Sequence, residues 1–176
     1  MGDRPASIYR EKPGQPYTRQ SQKKKDNYIK GAPAPRVTQY IMGNRTKEFS
    51  KTVTLRVSKG CSIRSEALEA GRIAANSYLN KILEPMEDYR LEIRPYPHHV
   101  LRYHPLAGIA QADRYYEGMR KPFGRPIGRA ALVDDDQVII QISVEEGDIQ
   151  EAKQALERAN HKMPVSCRVT IEQDEE

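Results

Sequence analysis

Tryptophan is absent from this chain of 176 residues, phenylalanine occurs twice, and only 38% of the residues are hydrophobic. A core drawn from that stock is modest, which suits one domain, or one domain with a tail. Cysteine is nearly missing too: Cys61 and Cys167 stand far apart and no CxxC pair occurs. A disulfide scaffold and a cysteine zinc site are therefore unsupported, and a reduced, cytosolic compartment fits best. No stretch approaches the roughly 20 apolar residues that cross a bilayer. The longest mainly apolar window, 132–144, is broken by Asp134, Asp135 and Asp136. The first 30 residues hold no signal-like apolar run, so neither a membrane-spanning nor a secreted protein is expected.

Catalytic constellations are also scarce. The dinucleotide glycine fingerprint, the P-loop, the nucleophile elbow and the HExxH zinc motif are all missing. Gly118, Gly124 and Gly128 match no nucleotide-loop spacing, and Pro122 and Pro126 remove two backbone N–H groups that such a loop would use. His98, His99 and His104 lack an acidic or cysteine partner nearby, and neighbouring strand residues point to opposite faces. No enzyme activity, metal or cofactor is expected.

What the chain does carry is charge, unevenly spread. Residues 1–36 have a net charge of +6, residues 37–133 a net of +7, and residues 134–176 a net of −8. The bulk figure of +5 thus hides a basic portion joined to an acidic end. Such asymmetry points to nucleic acid or an anionic membrane surface.

Residues 1–36 read as a basic extension with five prolines, three glycines and the run Lys23, Lys24, Lys25. Ile8, Ile29 and the tyrosines offer too little burial to order it alone. Tyr9, Tyr17 and Tyr28 alternate with Arg10, Arg19 and Lys30. That pattern suits a segment that orders on RNA, with cations on phosphates and rings on bases.

From about residue 37 a single α+β domain runs to 176. Residues 51–58 alternate, Val53, Leu55 and Val57 against Thr52, Thr54 and Arg56, as in a half-buried strand. A helix follows, capped by Ser62 or Ser65 and stopped by Pro85, with a stripe of Ala67, Leu68, Gly71, Ala74, Ala75, Tyr78, Leu79 and Ile82. Strands are expected at 89–94 and 98–103, then at 128–133 and 138–144, the last two joined by Asp134, Asp135 and Asp136 as a hairpin turn. A second helix spans about 149–160, with Asp148 and Glu151 at capping-box spacing and a stripe of Ile149, Ala152, Leu156 and Ala159. The last strand, 165–171, points Val165, Cys167, Val169 and Ile171 inward, making Cys167 a core residue. Two strand–helix–strand units with extra strands argue for helices packed on a mainly antiparallel or mixed sheet.

Residues 104–124 show no period, and a long structureless stretch inside a compact domain is usually functional or disordered. Around it, Arg102, Arg114, Arg120, Lys121, Arg125 and Arg129 are interspersed with Tyr103, Tyr115, Tyr116 and Phe123 and punctuated by glycine and proline. An amphipathic membrane helix is excluded by that punctuation. An irregular RNA surface fits: arginine forks clamp phosphates and aromatic rings stack on unpaired bases.

Several blocks together resemble the archaeal and eukaryotic large-subunit ribosomal protein family called L-ten-e, counterpart of the bacterial L-sixteen proteins. They are RPASIYR (4–10), SEALEAGRIAANSY (65–78), YPHHVLR (96–102), AQADRYYEGMRKPFGRPIG (110–128), DQVIIQIS (136–143) and QALERANHKMP (154–164). Ending at Glu176, the chain is similar to the archaeal members rather than the longer eukaryotic ones. The resemblance implies a two-layer α+β sandwich with a hammerhead-like β element. It implies binding to large-subunit rRNA beside the cleft for tRNA acceptor arms, support of tRNA positioning, and late joining during subunit assembly. It further implies that a loop at about 103–116 points toward the peptidyl transferase centre.

The residues expected to meet RNA are Arg4, Tyr9, Arg10, Lys12, Arg19, Lys23, Lys24, Lys25, Lys30, Arg36, Arg64, Arg90, His98, His99, Arg102, Arg114, Arg120, Lys121, Phe123, Arg125 and Arg129. The tRNA-proximal loop carries His104, Pro105, Gly108, Gln111 and Asp113. Expected partners are large-subunit rRNA, tRNA acceptor arms and neighbouring ribosomal proteins, with no membrane and no homo-oligomer. Composition alone also allows a non-ribosomal RNA-binding translation or assembly factor.

Overall fold

A computed structural model describes residues 5–18, 23–26, 29–84, 87–103 and 123–173. Among these residues eight strands and two α-helices form an α+β fold. In chain order they are β1 (Ile41–Gly43), β2 (Lys51–Val57), β3 (Cys61–Arg64), α1 (Ser65–Ile82), β4 (Tyr89–Ile93), β5 (His99–Tyr103), β6 (Arg125–Val133), β7 (Val138–Val144), α2 (Ile149–Asn160) and β8 (Cys167–Gln173). Short 3-10 turns occur at Ala6–Arg10, Lys24–Asp26 and Glu146–Asp148. One sheet has five strands in the order β1-β4-β7-β2-β8 and the other has three, β3-β6-β5. Every described pairing is antiparallel.

The alternation of apolar residues decides which face of the large sheet is covered. Register places Leu91, Ile142 and Val53 in one row and Ile93, Ile140 and Leu55 in the next. These join Leu68, Ala75 and Leu79 of α1 and Ala152, Ala155, Leu156 and Ala159 of α2 in a single buried cluster. Ile63, Ala131 and Val133 carry the small sheet into the same core. Gly71 permits close approach of α1, because a Cβ there would lie 2.6 Å from the Met163 methyl carbon and 3.5 Å from Ile140 Cδ1.

The opposite face of the large sheet is a polar lattice. Arg90, Ser143, Thr52 and Glu172 form one row, and Glu92, Gln141, Thr54 and Thr170 another. Thr52 and Thr54 are nonetheless buried, so β2 is enclosed on both faces rather than half-buried as its alternation implies. As an inner strand between β7 and β8, it has its short threonines shielded by longer neighbours. Thr54 Oγ1 meets Thr170 Oγ1 at 2.7 Å, and Arg56 pairs with Glu172.

Three further expectations are corrected. Asp134 to Asp136 form a tight turn but not a hairpin, since β6 belongs to the small sheet and β7 to the large one. The turn is pinned from outside: the Asp136 N–H donates to Val57 O at 2.9 Å, and the Gly60 N–H donates to the Asp135 carboxylate. Neither expected helix cap forms. Arg64 occupies the cap position of α1, because Ser65 is already inside the helix and Ser62 lies within β3, and Asp148 stands at the cap of α2 without a side-chain hydrogen bond. Finally, β8 starts at Cys167 and is an edge strand. Cys167 packs against the core only partly buried, and Ile171 stays 44% exposed.

Candidate nucleic-acid interface

The small sheet presents one face to the N-terminal segment. Its register aligns Arg64, Ala130 and His99 in a row, with Ser62 beside Leu132 and Leu101 beside Gly128. Pairing then slips between Leu101 and Arg102, so Arg102 aligns with Pro126. The extra residue is Ile127 on β6, since β6 runs from Gly128 to Pro126 while β5 advances by one. Arg102 lines the same groove as His99 and Leu101.

Residues of the N-terminal segment lie across that face. The Tyr17 N–H donates to His99 Nδ1 at 2.9 Å, and the Val100 N–H donates to Tyr17 O at 2.9 Å. The Arg102 guanidinium carbon lies 3.7 Å from the Tyr17 ring centre and 5.3 Å from that of Phe123. Tyr9, at 7% exposure, is buried with Arg64 above its ring at 5.6 Å. Lys12 pairs with Asp134, and Arg129 Nε donates to Pro33 O at 2.7 Å. Burial, with the Arg102 charge nearby, pushes the His99 pKa below its ordinary value. The imidazole is thus held neutral, with Nδ1 as an acceptor.

A groove of about 570 Å³ opens between segment and sheet, lined by residues including Ile8, Tyr9, Lys12, Ser62, Arg102, Phe123 and Ile127. Phe123 is 70% exposed at its rim. A second groove of about 580 Å³ is lined by Arg10, Ser58, Lys59, His161, Pro164 and their neighbours, and no carboxylate is among its described lining residues.

Ion pairing sorts the expected RNA-binding cations. The acidic end folds back on basic residues of the earlier chain: Asp136 meets Arg56 at 3.5 Å, Glu146 meets Lys51 at 3.3 Å, and Glu145 meets Lys47 at 2.6 Å. Of the expected residues, Lys12 is held by Asp134, Arg64 by Glu66 and Arg90 by Glu92. Arg10, Lys25, Lys30, Arg36 and Arg125 are exposed and form no ion pair with any described residue. Lys23 is exposed and Lys24 lies in the 3-10 turn beside it.

His98 stands in an exposed aromatic ladder. Its ring is 4.5 Å from that of Tyr96, which stacks on Tyr40 at 5.6 Å. Arg4, Arg19, Arg114, Arg120 and Lys121 lie outside the described residues, as do all five loop positions His104, Pro105, Gly108, Gln111 and Asp113. Among the described residues no cluster of three metal-ligating side chains occurs, and no helix is long and apolar enough to cross a membrane.

Cationic, aromatic and carboxylate-poor surfaces on a small α+β scaffold agree with the relatives the chain has. A model of the family described as ribosomal protein L16p/L10e matches residues 14–170. The chain belongs to that family. A protein of Methanocella arvoryzae called large ribosomal subunit protein uL16 is 41% identical over 176 residues, covering 100% of this chain and 98% of that protein. Its namesake in Archaeoglobus fulgidus is 39% identical, covering 100% and 97%. That of Staphylothermus marinus is 39% identical, covering 96% and 92%. As an L16p/L10e member the chain is a structural ribosomal protein and not an enzyme. The matched span contains Tyr17, Arg102 and Phe123, whereas Tyr9, Arg10 and Lys12 precede it.

The expected residues omitted Lys59 and His161 of the second groove, along with Tyr17 and Ser62 of the first. Lys59 sits alone among uncharged neighbours, and His161 lies inside the acidic end. Only the fold places either of them beside Arg10. Tyr17 shares with Tyr9 the alternation with basic residues, so its signal lay in the sequence although it is not among the expected RNA-meeting residues.

Proposed function

We propose that the chain is a structural constituent of the large ribosomal subunit that binds large-subunit rRNA beside the tRNA acceptor-arm cleft and peptidyl transferase centre. In this role it supports tRNA positioning and late subunit assembly. Neighbouring ribosomal proteins are its other partners. The observation that carries the reading is the division of its cations. The acidic end neutralises Lys47, Lys51 and Arg56, while Arg10, Lys25, Lys30, Arg36 and Arg125 stay exposed. An exposed lysine or arginine that meets a phosphate releases a condensed counterion, and that release favours binding. The relatives named uL16 support the subunit assignment.

Cosedimentation tests it. Added to its own ribosomes, the chain should remain with large subunits through a high-salt wash, as an integrated component does. Loss in the wash would favour a translation or assembly factor instead.

A further inference from the structure

Two buried polar atoms beside the first groove have no hydrogen-bond partner among the described residues: Arg102 Nη1 and Ser62 Oγ. Buried donors without partners are uncommon in folded proteins and call for an explanation. Arg102 is further set apart by the two rings that cover its guanidinium. The cover is lopsided. Tyr17 is tied down through His99 and Val100, whereas Phe123 is 70% exposed and is followed by Gly124 at φ +69°. Such a backbone conformation suits glycine and lets the chain turn sharply beside the ring.

We propose that this groove holds one unstacked nucleotide of the bound RNA, with its base on the Phe123 ring and its phosphate on the Arg102 guanidinium. Phe123 swings off Arg102 as the base enters, which uncovers Nη1 for a phosphate oxygen. Ser62 Oγ then donates to the ribose or to a base edge. The groove's 570 Å³ lies within the usual range for small-ligand sites, and its walls supply what a nucleotide presents. Ile8 and Ile127 offer apolar contact, Phe123 a π-face and Arg102 positive charge, while Lys12 is held by Asp134 and Glu11 also lines the groove. A bare phosphate would leave the apolar wall and the exposed ring unused, and an apolar peptide side chain would leave the Arg102 guanidinium unmatched. The inference rests on the RNA-binding reading above and specifies one subsite of it.

The test uses the full chain and labelled pentanucleotides of adenine, uracil or cytosine, each with a counterpart lacking the central base. Removing that base should weaken binding of at least one sequence by about ten-fold, the scale of one base–aromatic stack. Phe123→Leu should remove most of that difference and Phe123→Tyr should keep it. Arg102→Lys should weaken both forms alike. If the intact and abasic forms bind equally in all three sequences while affinity still falls with salt, the subsite is overturned and the RNA-binding reading stands. If no pentanucleotide binds in a salt-dependent way, both are overturned.

Discussion

Protonation of one imidazole should loosen the N-terminal segment. His99 accepts the Tyr17 N–H at Nδ1, so it must be neutral on that nitrogen. Burial and the Arg102 charge hold its pKa below the ordinary value, about 6.5 for a free histidine. The sign follows: above that ordinary value both folded and unfolded chains carry neutral His99 and its contribution is whole. As pH falls through the lowered folded value, the unfolded chain binds the proton more readily, and stability is lost. Amide hydrogen exchange should therefore show the Tyr17 N–H well protected at pH 7.5 and its protection factor falling by pH 5. Equal protection at both would contradict the neutral-acceptor account. The cysteines behave in the opposite sense. Burial pushes the Cys61 thiol up to about 11, and burial followed by the nearby Cys61 pushes Cys167 up to about 12. Neither forms a reactive thiolate near neutral pH.

At the scale of elements, α2 is the most legible part of the sequence. Ala152, Leu156 and Ala159 recur at helical spacing, and the helix occupies Ile149–Asn160 as that stripe implies. Leu156 is wholly buried among β2, β7 and α1 residues. Leu156→Ala should cost roughly 2–5 kcal/mol, read as a lowered midpoint in urea with an unchanged slope; a cost below about 1 kcal/mol would mean the helix is not a core element. Other features could not be read locally. The pattern of β6 and β7 is the same whether or not the strands pair, so the Asp134–Asp136 turn looks like a hairpin until long-range pairing sends each strand to a different sheet. The Leu101/Arg102 bulge has no signature of its own, because it arises from the register that β5 takes against β6. Capping spacing at Asp148 and Glu151 was legible, yet the bond does not form.

At the scale of the whole molecule, the charge gradient has a structural counterpart. Sequence separates the basic portion from the acidic end, but it cannot say which cations the carboxylates take. Arg56 and Glu172, or Lys12 and Asp134, become neighbours only through the folded sheets. That is why the candidate interface was legible as a population of cations and not as individual residues. Folding divides them into a neutralised group around the acidic end and an exposed group that includes Lys30, Arg36 and Arg125.

The salt dependence of rRNA-fragment binding tests this division directly. For the unaltered chain, with roughly six to ten cations engaged, affinity should fall about 10³–10⁵-fold between 50 and 200 mM salt. Lys30→Gln, Arg36→Gln and Arg125→Gln together should make the slope of log K against log salt shallower by roughly 2–3, whereas Lys47→Gln, Lys51→Gln and Arg56→Gln together should leave it nearly unchanged. A flat response in the unaltered chain, or equal losses of slope in the two triple variants, would contradict the account.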